Sequence, residues 1–193
     1  MSGQYGAILI DPPWSFRSWS DKGKNRAPDA LVRQKGLAER HYKTMELDLI
    51  AALPIGGLAA ERCAIFLWTV DCMLPEAIQI GTEWGFTFKT VAFTWVKTKK
   101  DGTGHPIGLG YWTRGNPEQC LLFTRGAPKR KSAAIRQLIE APRREHSRKP
   151  DETRERIEAL ADGPYLEMFA RQTWPGWDSM GDQVGILGTP YDS

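Results

Sequence analysis

The sequence predicts an α/β domain with a mainly parallel sheet and helices on both faces. Three observations predict it. Strand-length apolar runs, rich in β-branched and aromatic residues and bounded by Gly, Pro or charge, recur along the chain. Helical patterns lie between several of them. The runs are apolar nearly throughout rather than alternating, as in parallel strands covered on both sides. In order, the strands are expected at Tyr5-Ile10, Ala64-Val70, Phe86-Val96, Gln119-Thr124, Tyr165-Ala170 and Val184-Leu187. Asp71 is placed to cap a helix from Met73 to Trp84, with Leu74, Ala77, Ile78 and Gly81 at helical spacing. A second helix is expected over Asp151 to Ala161, with Ile157 and Leu160 on one face. Pro150 before it and Gly163 after it mark its ends. A short helix is expected near Ala133-Ile139.

At 193 residues the chain fits one domain, 1–193, and its 41% hydrophobic and 25% charged content excludes disorder. No apolar run reaches the roughly 18 residues of a membrane span, and no signal pattern opens the chain. A cytoplasmic protein with no membrane partner is the expectation. Cys63, Cys72 and Cys120 are odd in number and widely spaced, which argues against a disulfide framework, and His41, His105 and His146 do not complete a zinc spacing. Net charge is only +3, but Lys129, Arg130, Lys131, Arg136, Arg143, Arg144, Arg148 and Lys149 crowd one stretch. Lys97, Lys99 and Lys100 form a second cluster. These clusters suit either solvated loops or a rim that contacts phosphates by counterion release. Two polar stretches, about 15–43 and 125–149, are expected as long loops over a substrate. The glycines of Asp101-Gly110 lack a following helix, so they read as a loop between strands and not as a dinucleotide fingerprint.

Chemistry concentrates at Asp11-Pro12-Pro13-Trp14, directly after the first strand. In open parallel sheets, ligands bind at such carboxyl ends. The Asp11 carboxylate accepts hydrogen bonds, and Pro12 offers a carbonyl with no competing N–H. Consecutive prolines restrict the backbone, and Trp14 can stack on a flat ring. The tetrapeptide suits a pocket for an amine-bearing ring, or a Pro-rich turn closing a strand.

Further motifs follow in a fixed order. They are His41-Tyr42-Lys43-Thr44-Met45, Phe66-Leu67-Trp68, Trp95-Val96-Lys97-Thr98 and Arg114-Gly115-Asn116-Pro117-Glu118. Then come His146-Ser147-Arg148-Lys149-Pro150-Asp151-Glu152, Leu166-Glu167-Met168-Phe169-Ala170-Arg171, Pro175-Gly176-Trp177-Asp178 and Gly181-Asp182-Gln183. Together with the tetrapeptide, this set resembles the MT-A70 family of adenine N6-methyltransferases from Ile8 to Gln183.

The resemblance implies a Rossmann-like fold using S-adenosyl-L-methionine, with the catalytic motif ahead of the cofactor motif in a permuted order. It implies Asp11, Pro12, Pro13 and Trp14 as catalytic residues. It places Asp11, Lys149, Glu167, Arg171, Asp182 and Gln183 at the cofactor, with Lys149 on the methionine carboxylate and Arg171 at the ribose. Asp182 and Gln183 would contact ribose and adenine. Asp182 stands where many relatives have Asn, and the turn Gln172-Thr173-Trp174 is short for the family. Trp14, Tyr42, Lys97, Trp112 and Glu118 would meet the substrate. The implied target is the N6 amine of a flipped or single-stranded adenine in nucleic acid. DNA is expected over RNA, because the chain shows no basic tail, zinc finger or partner-binding extension. A catalytically silent nucleic-acid-binding subunit is the alternative from another class, disfavoured because Asp11, Trp14, Lys149 and Gln183 are all present. Trp19, Trp112 and Trp177 suit either a homodimer contact or the substrate cleft.

Overall fold

The computed structural model describes residues 3–15, 45–108, 110 and 112–181. The strands are β1 (Tyr5–Ile10), β2 (Ala59–Thr69), β3 (Thr87–Thr98), β4 (Glu118–Arg125), β5 (Leu138–Pro142), β6 (Tyr165–Met168) and β7 (Trp177–Met180). The helices are α1 (Leu47–Ala51), α2 (Ile55–Leu58), α3 (Leu74–Glu83) and α4 (Glu152–Leu160). The strands form one sheet in the order β5-β3-β4-β2-β1-β6-β7. Only β4 runs against its neighbours; the pairs β3–β5, β1–β2, β1–β6 and β6–β7 are parallel.

Strand β1 is paired on both edges and buried on both faces, which explains its continuous apolar run. Ile8 and Ile10 face one core with Ile50, Ile55, Ala77 and Ile80 of α1, α2 and α3. Ala7 and Leu9 face the other, with Phe66, Trp68, Trp95 and Ile157 of α4. The expected two-faced α/β architecture is therefore present.

Several boundaries differ from expectation, each for a local reason. Asp71 does not cap α3. It begins a 3-10 turn, Asp71–Met73, and α3 starts at Leu74 with Pro75 in its first turn and no side-chain cap. No helix forms near Ala133-Ile139; the chain instead adds β5 to the sheet edge, with only Ile139 fully buried. The stretch 125–149 is therefore not one long loop. The strand expected to reach Ala170 stops at Met168, because Phe169 takes a left-handed backbone, φ 61°. The outer strand β7 is not among the expected strands. The stretch 16–43 and the expected strand Val184-Leu187 lie outside the described residues. Among the described residues no helix is long and apolar enough to cross a membrane.

Helix α3 packs closely on the sheet at Gly81, where an added Cβ would lie 2.4 Å from the ring of Phe123. Phe123 is fully buried and makes an edge contact with Phe88, leaving its ring little room to retreat. Alanine normally stabilises a helix relative to glycine by about 1 kcal/mol. Here overpacking should prevail, so Gly81→Ala is expected to lose about 1–3 kcal/mol in urea denaturation. A gain in stability would show that the helix can lift from the sheet without cost.

Candidate active site at the carboxyl ends of the strands

Strand direction assembles the site. β1, β2, β3, β5, β6 and β7 all end on one edge of the sheet, and antiparallel β4 begins there. The register aligns Ile10 with both Leu67 and Met168, Trp95 with Glu118, and Thr98 with Pro142. Residues far apart in sequence, Asp11, Lys97, Glu118 and Phe169, are thereby brought to one edge. The segment from β5 to α4 crosses the same edge and carries Lys149.

At the centre lies a chain of alternating charges. Lys149 Nζ donates to Asp11 Oδ1 at 2.8 Å and to Oδ2 at 2.9 Å. It also lies 3.2 Å from Glu118 Oε2, while Lys97 Nζ is 2.6 Å from Glu118 Oε1. Beneath the two ammonium groups lie aromatic faces: Lys149 is 5.6 Å from the Trp68 ring centroid and Lys97 is 5.3 Å from that of Trp95. Burial would push the Glu118 carboxyl up, but the ammonium groups of Lys149 and Lys97 outweigh it and hold the group below the usual carboxylate range. For Lys149, burial would favour the neutral amine. The carboxylates of Asp11 and Glu118 reverse this and hold it protonated well above the ordinary lysine range. Asp71, at the end of β2, is pushed up by burial and by Glu118.

The Asp11-Pro12-Pro13-Trp14 backbone is tied at several points. Trp14 N–H donates to the Pro12 carbonyl at 2.8 Å, and Met45 N–H donates to the Pro13 carbonyl at 2.9 Å. One lone pair of Pro12 is thus used locally, and a carbonyl has a second. The Trp14 indole is 4% exposed and donates Nε1–H to the Trp68 carbonyl at 2.9 Å. It therefore anchors the tetrapeptide in the core and does not present the open stacking face expected from its residue type.

A second charged group lies behind Lys149. Glu167 on β6 accepts two hydrogen bonds from Arg154 of α4, at 2.8 Å and 2.6 Å. Burial raises the Glu167 carboxyl, the Arg154 pull offsets this only in part, and Asp11 and Asp151 add to the rise. Asp151 accepts from Arg144 at 2.7 and 3.0 Å, and from Arg148, Arg154 and Gln172 at 3.3–3.4 Å. Burial would raise Asp151, but these arginines, Arg144 foremost, hold it below the usual carboxylate range.

Of the residues expected at the site, Asp11, Lys97, Glu118 and Lys149 meet directly. Glu167 lies close by and is held by Arg154. Arg171 follows the β6 turn and is half-buried. Trp112 is 90% exposed, on the β3–β4 loop that Asn116 pins by donating to the carbonyls of Lys97 and Pro106. Tyr42, Asp182 and Gln183 lie outside the described residues, as does Trp19. Trp177 is not a surface aromatic. It is buried, stacked on Tyr165, and donates its indole N–H to Glu158. The basic run is also partly internal, with Arg144, Arg148 and Lys149 in ion pairs. Lys129, Arg130, Arg136 and Arg143 remain exposed, as do Lys99, Lys100 and Arg114. Sequence reasoning missed Arg144, Asp151 and Arg154. The adjacency Lys149-Pro150-Asp151 was the available signal, and it also reads as an ordinary helix start.

The MT-A70 family model matches residues 5–183. The type II methyltransferase M.MunI of Mycoplasma sp is 29% identical over 189 residues, covering 94% of this chain and 78% of that protein. The N6-methyladenosine RNA methyltransferase MTA1 of Cryphonectria parasitica is 31% identical, covering 93% of this chain and 52% of its own length. The N(6)-adenine-specific methyltransferase METTL4 of Mus musculus is 27% identical, with coverages of 93% and 37%. The chain therefore spans about half or less of these last two relatives.

The charge pattern sets a pH signature. Because the folded Glu118 carboxyl is depressed, it adds stability that is fully present above the unfolded value, about 4.3. That stability is lost as pH falls through the folded value. Lys149 contributes in the opposite sense, below about 10.4 and until its raised folded value is passed. The stability gap between wild type and Glu118→Gln, measured by urea unfolding, should be full at pH 7 and shrink below about pH 4. A gap independent of pH would show that the lysines do not hold Glu118 ionised.

Proposed function

We propose that this chain, which belongs to the MT-A70 family, transfers a methyl group to the exocyclic N6 amine of adenine in nucleic acid, with DNA favoured over RNA. MT-A70 methyltransferases use S-adenosylmethionine as methyl donor. The observation that carries the reading is the Asp11 carboxylate at the end of central β1, next to the end of β6 and paired with a buried lysine. What supports the polymer preference is the likeness to the type II methyltransferase M.MunI, 29% identical along 94% of this chain.

The donor set of the cleft fits the cofactor. Cationic and anionic side chains stand at the ends of β1 and β6, and buried Gln172 Oε1 has no hydrogen-bond partner among the described residues. Lys149 would hold the methionine carboxylate, and Arg171, with Asp182 and Gln183, would hold the ribose and adenine. When bound, the cofactor supplies an electrophilic methyl group on a sulfonium.

Asp11 does the chemical work of the chain itself. An adenine amine is a weak nucleophile because its lone pair is delocalised into the ring. Accepting an N–H bond at Asp11, with the second lone pair of the Pro12 carbonyl beside it, draws the nitrogen towards tetrahedral geometry. The same acceptors stabilise the positive charge that develops on that nitrogen, and they are fixed in advance. Asp11 then takes the proton that the methylated nitrogen releases. Lys149 holds the Asp11 carboxylate in place through hydrogen bonds to both of its oxygens before substrate binds. Its three donors already face three carboxylate oxygens, so any further acceptor must displace one of them. Lys97, Glu118, Tyr42 and Trp112 would border the adenine, and the exposed lysines and arginines would meet phosphates. Trp14 supports this pocket from behind.

Asp11→Asn is expected to lower methyl transfer at least about 100-fold, while calorimetry still detects cofactor binding. Turnover equal to wild type would overturn the catalytic role. Methyl transfer from labelled cofactor to single- and double-stranded DNA and RNA should be greatest on DNA and should fall steeply with added salt. Incorporation confined to RNA would reverse the polymer assignment, and no incorporation into any adenine-containing strand would favour a silent binding subunit.

A further inference from the structure

Lys149 is delivered to the cleft by a segment with almost no regular structure. Between Pro142, which ends β5, and Glu152, which opens α4, the backbone makes one 3-10 turn, Glu145–Ser147, and Ser147 adopts a left-handed φ of 57°. Neither sheet nor helix hydrogen bonds therefore fix where Lys149 enters. A long, flexible lysine side chain reaches a fixed carboxylate reproducibly only if its own backbone is held.

The holding group is Arg144. One side of its guanidinium makes a two-pronged contact with Asp151, at 2.7 and 3.0 Å, and Nη2 also donates to the main-chain carbonyl of Lys149. Asp151 accepts in turn from Arg148 and from Arg154, and Arg154 closes on Glu167 with two hydrogen bonds. The path runs from the Lys149 backbone through Arg144 and Asp151 to Arg154 and then to β6, the strand next to Asp11. Arg154 is 6% exposed at its side chain and Glu167 is 9% exposed, so this end is rigidly packed. The planar fork of arginine suits such a junction, because it bonds a carboxylate and a carbonyl at once.

We propose that Arg144 and Asp151 are positioning residues for methyl transfer: they set the place at which Lys149 enters the cleft, Arg144 by gripping the Lys149 carbonyl and Asp151 by tying Arg144 to the Arg154–Glu167 pair. This rests on the reading above that Lys149 serves the cofactor and Asp11. Neither residue touches the reacting atoms. Their effect should pass through Lys149.

The test is a double-mutant cycle on cofactor affinity, measured by calorimetry with S-adenosylmethionine and the full chain, over Arg144→Gln, Lys149→Met and the double variant. Arg144→Gln should weaken binding about tenfold, in keeping with coupling inside one hydrogen-bond network. The double variant should bind no more weakly than Lys149→Met alone. Additive losses, or unchanged affinity in Arg144→Gln, would overturn the positioning role. If Lys149→Met itself binds the cofactor as wild type does, the cofactor role of Lys149 fails, a result separate from failure of the clamp. Arg144→Lys covers the case in which the glutamine variant does not fold. It keeps the charge but loses the fork, and should move affinity the same way by a smaller factor, whereas wild-type affinity in it would count against the clamp. Asp151→Asn, which leaves three guanidinium groups without their shared carboxylate, should reproduce the loss, and Asp151→Glu should recover part of it. No loss in Asp151→Asn would contradict the tie through Asp151.

Discussion

A buried ammonium shared between two carboxylates is the constraint on which the arrangement depends. Lys149 joins Asp11 at the end of β1 to Glu118 at the start of β4, and Lys97 on β3 completes the neutralisation of Glu118. Taken singly, each of these charges would be costly to remove from water. Together they sum to zero and are bound to one another. Strands β1, β3 and β4 are thus coupled at their functional edge by electrostatics as well as by the ladder. The tryptophans Trp68 and Trp95 beneath the ammonium groups add a face that favours cations without offering a competing hydrogen bond.

The fold makes this juxtaposition possible. β1 and β6 are sequence-distant yet parallel neighbours, so the residues after each, Asp11 and Phe169, lie at the same end of the sheet. β4 is the reversed strand, and its reversal puts Glu118 at its beginning on the edge where the other strands end. A parallel β4 would carry Glu118 to the opposite edge. The proposed chemistry needs an acceptor in place before substrate arrives, and Lys149 holds Asp11 there through hydrogen bonds to both carboxylate oxygens.

Legibility in the sequence followed burial. β1 was plain because both its faces are covered and every residue had to be apolar or small. The edge strands β5 and β7 were not, since one largely buried residue each, Ile139 and Trp177, leaves too little pattern among polar neighbours. Asp11 stood out because a carboxylate directly after a buried strand has few structural uses, and Lys149 and Glu118 were singled out through family resemblance. Their mutual contact was not visible, because it depends on strand order. Trp14 shows the converse: an aromatic type suggested stacking, whereas packing decided that the indole lies in the core with its N–H bound. Asp151 reads as a helix start, which is correct locally and hides its hold on three arginines.

The most direct measurement of the central claim is the coupling free energy between Asp11 and Lys149, from urea unfolding of Asp11→Asn, Lys149→Met and the double variant at neutral pH. If the shared ammonium organises the site, the coupling should exceed about 1 kcal/mol, because either single change breaks the hydrogen bonds that Lys149 makes to both Asp11 oxygens. Losses that add to within about 0.5 kcal/mol would contradict it, and would mean that the two side chains meet without depending on each other.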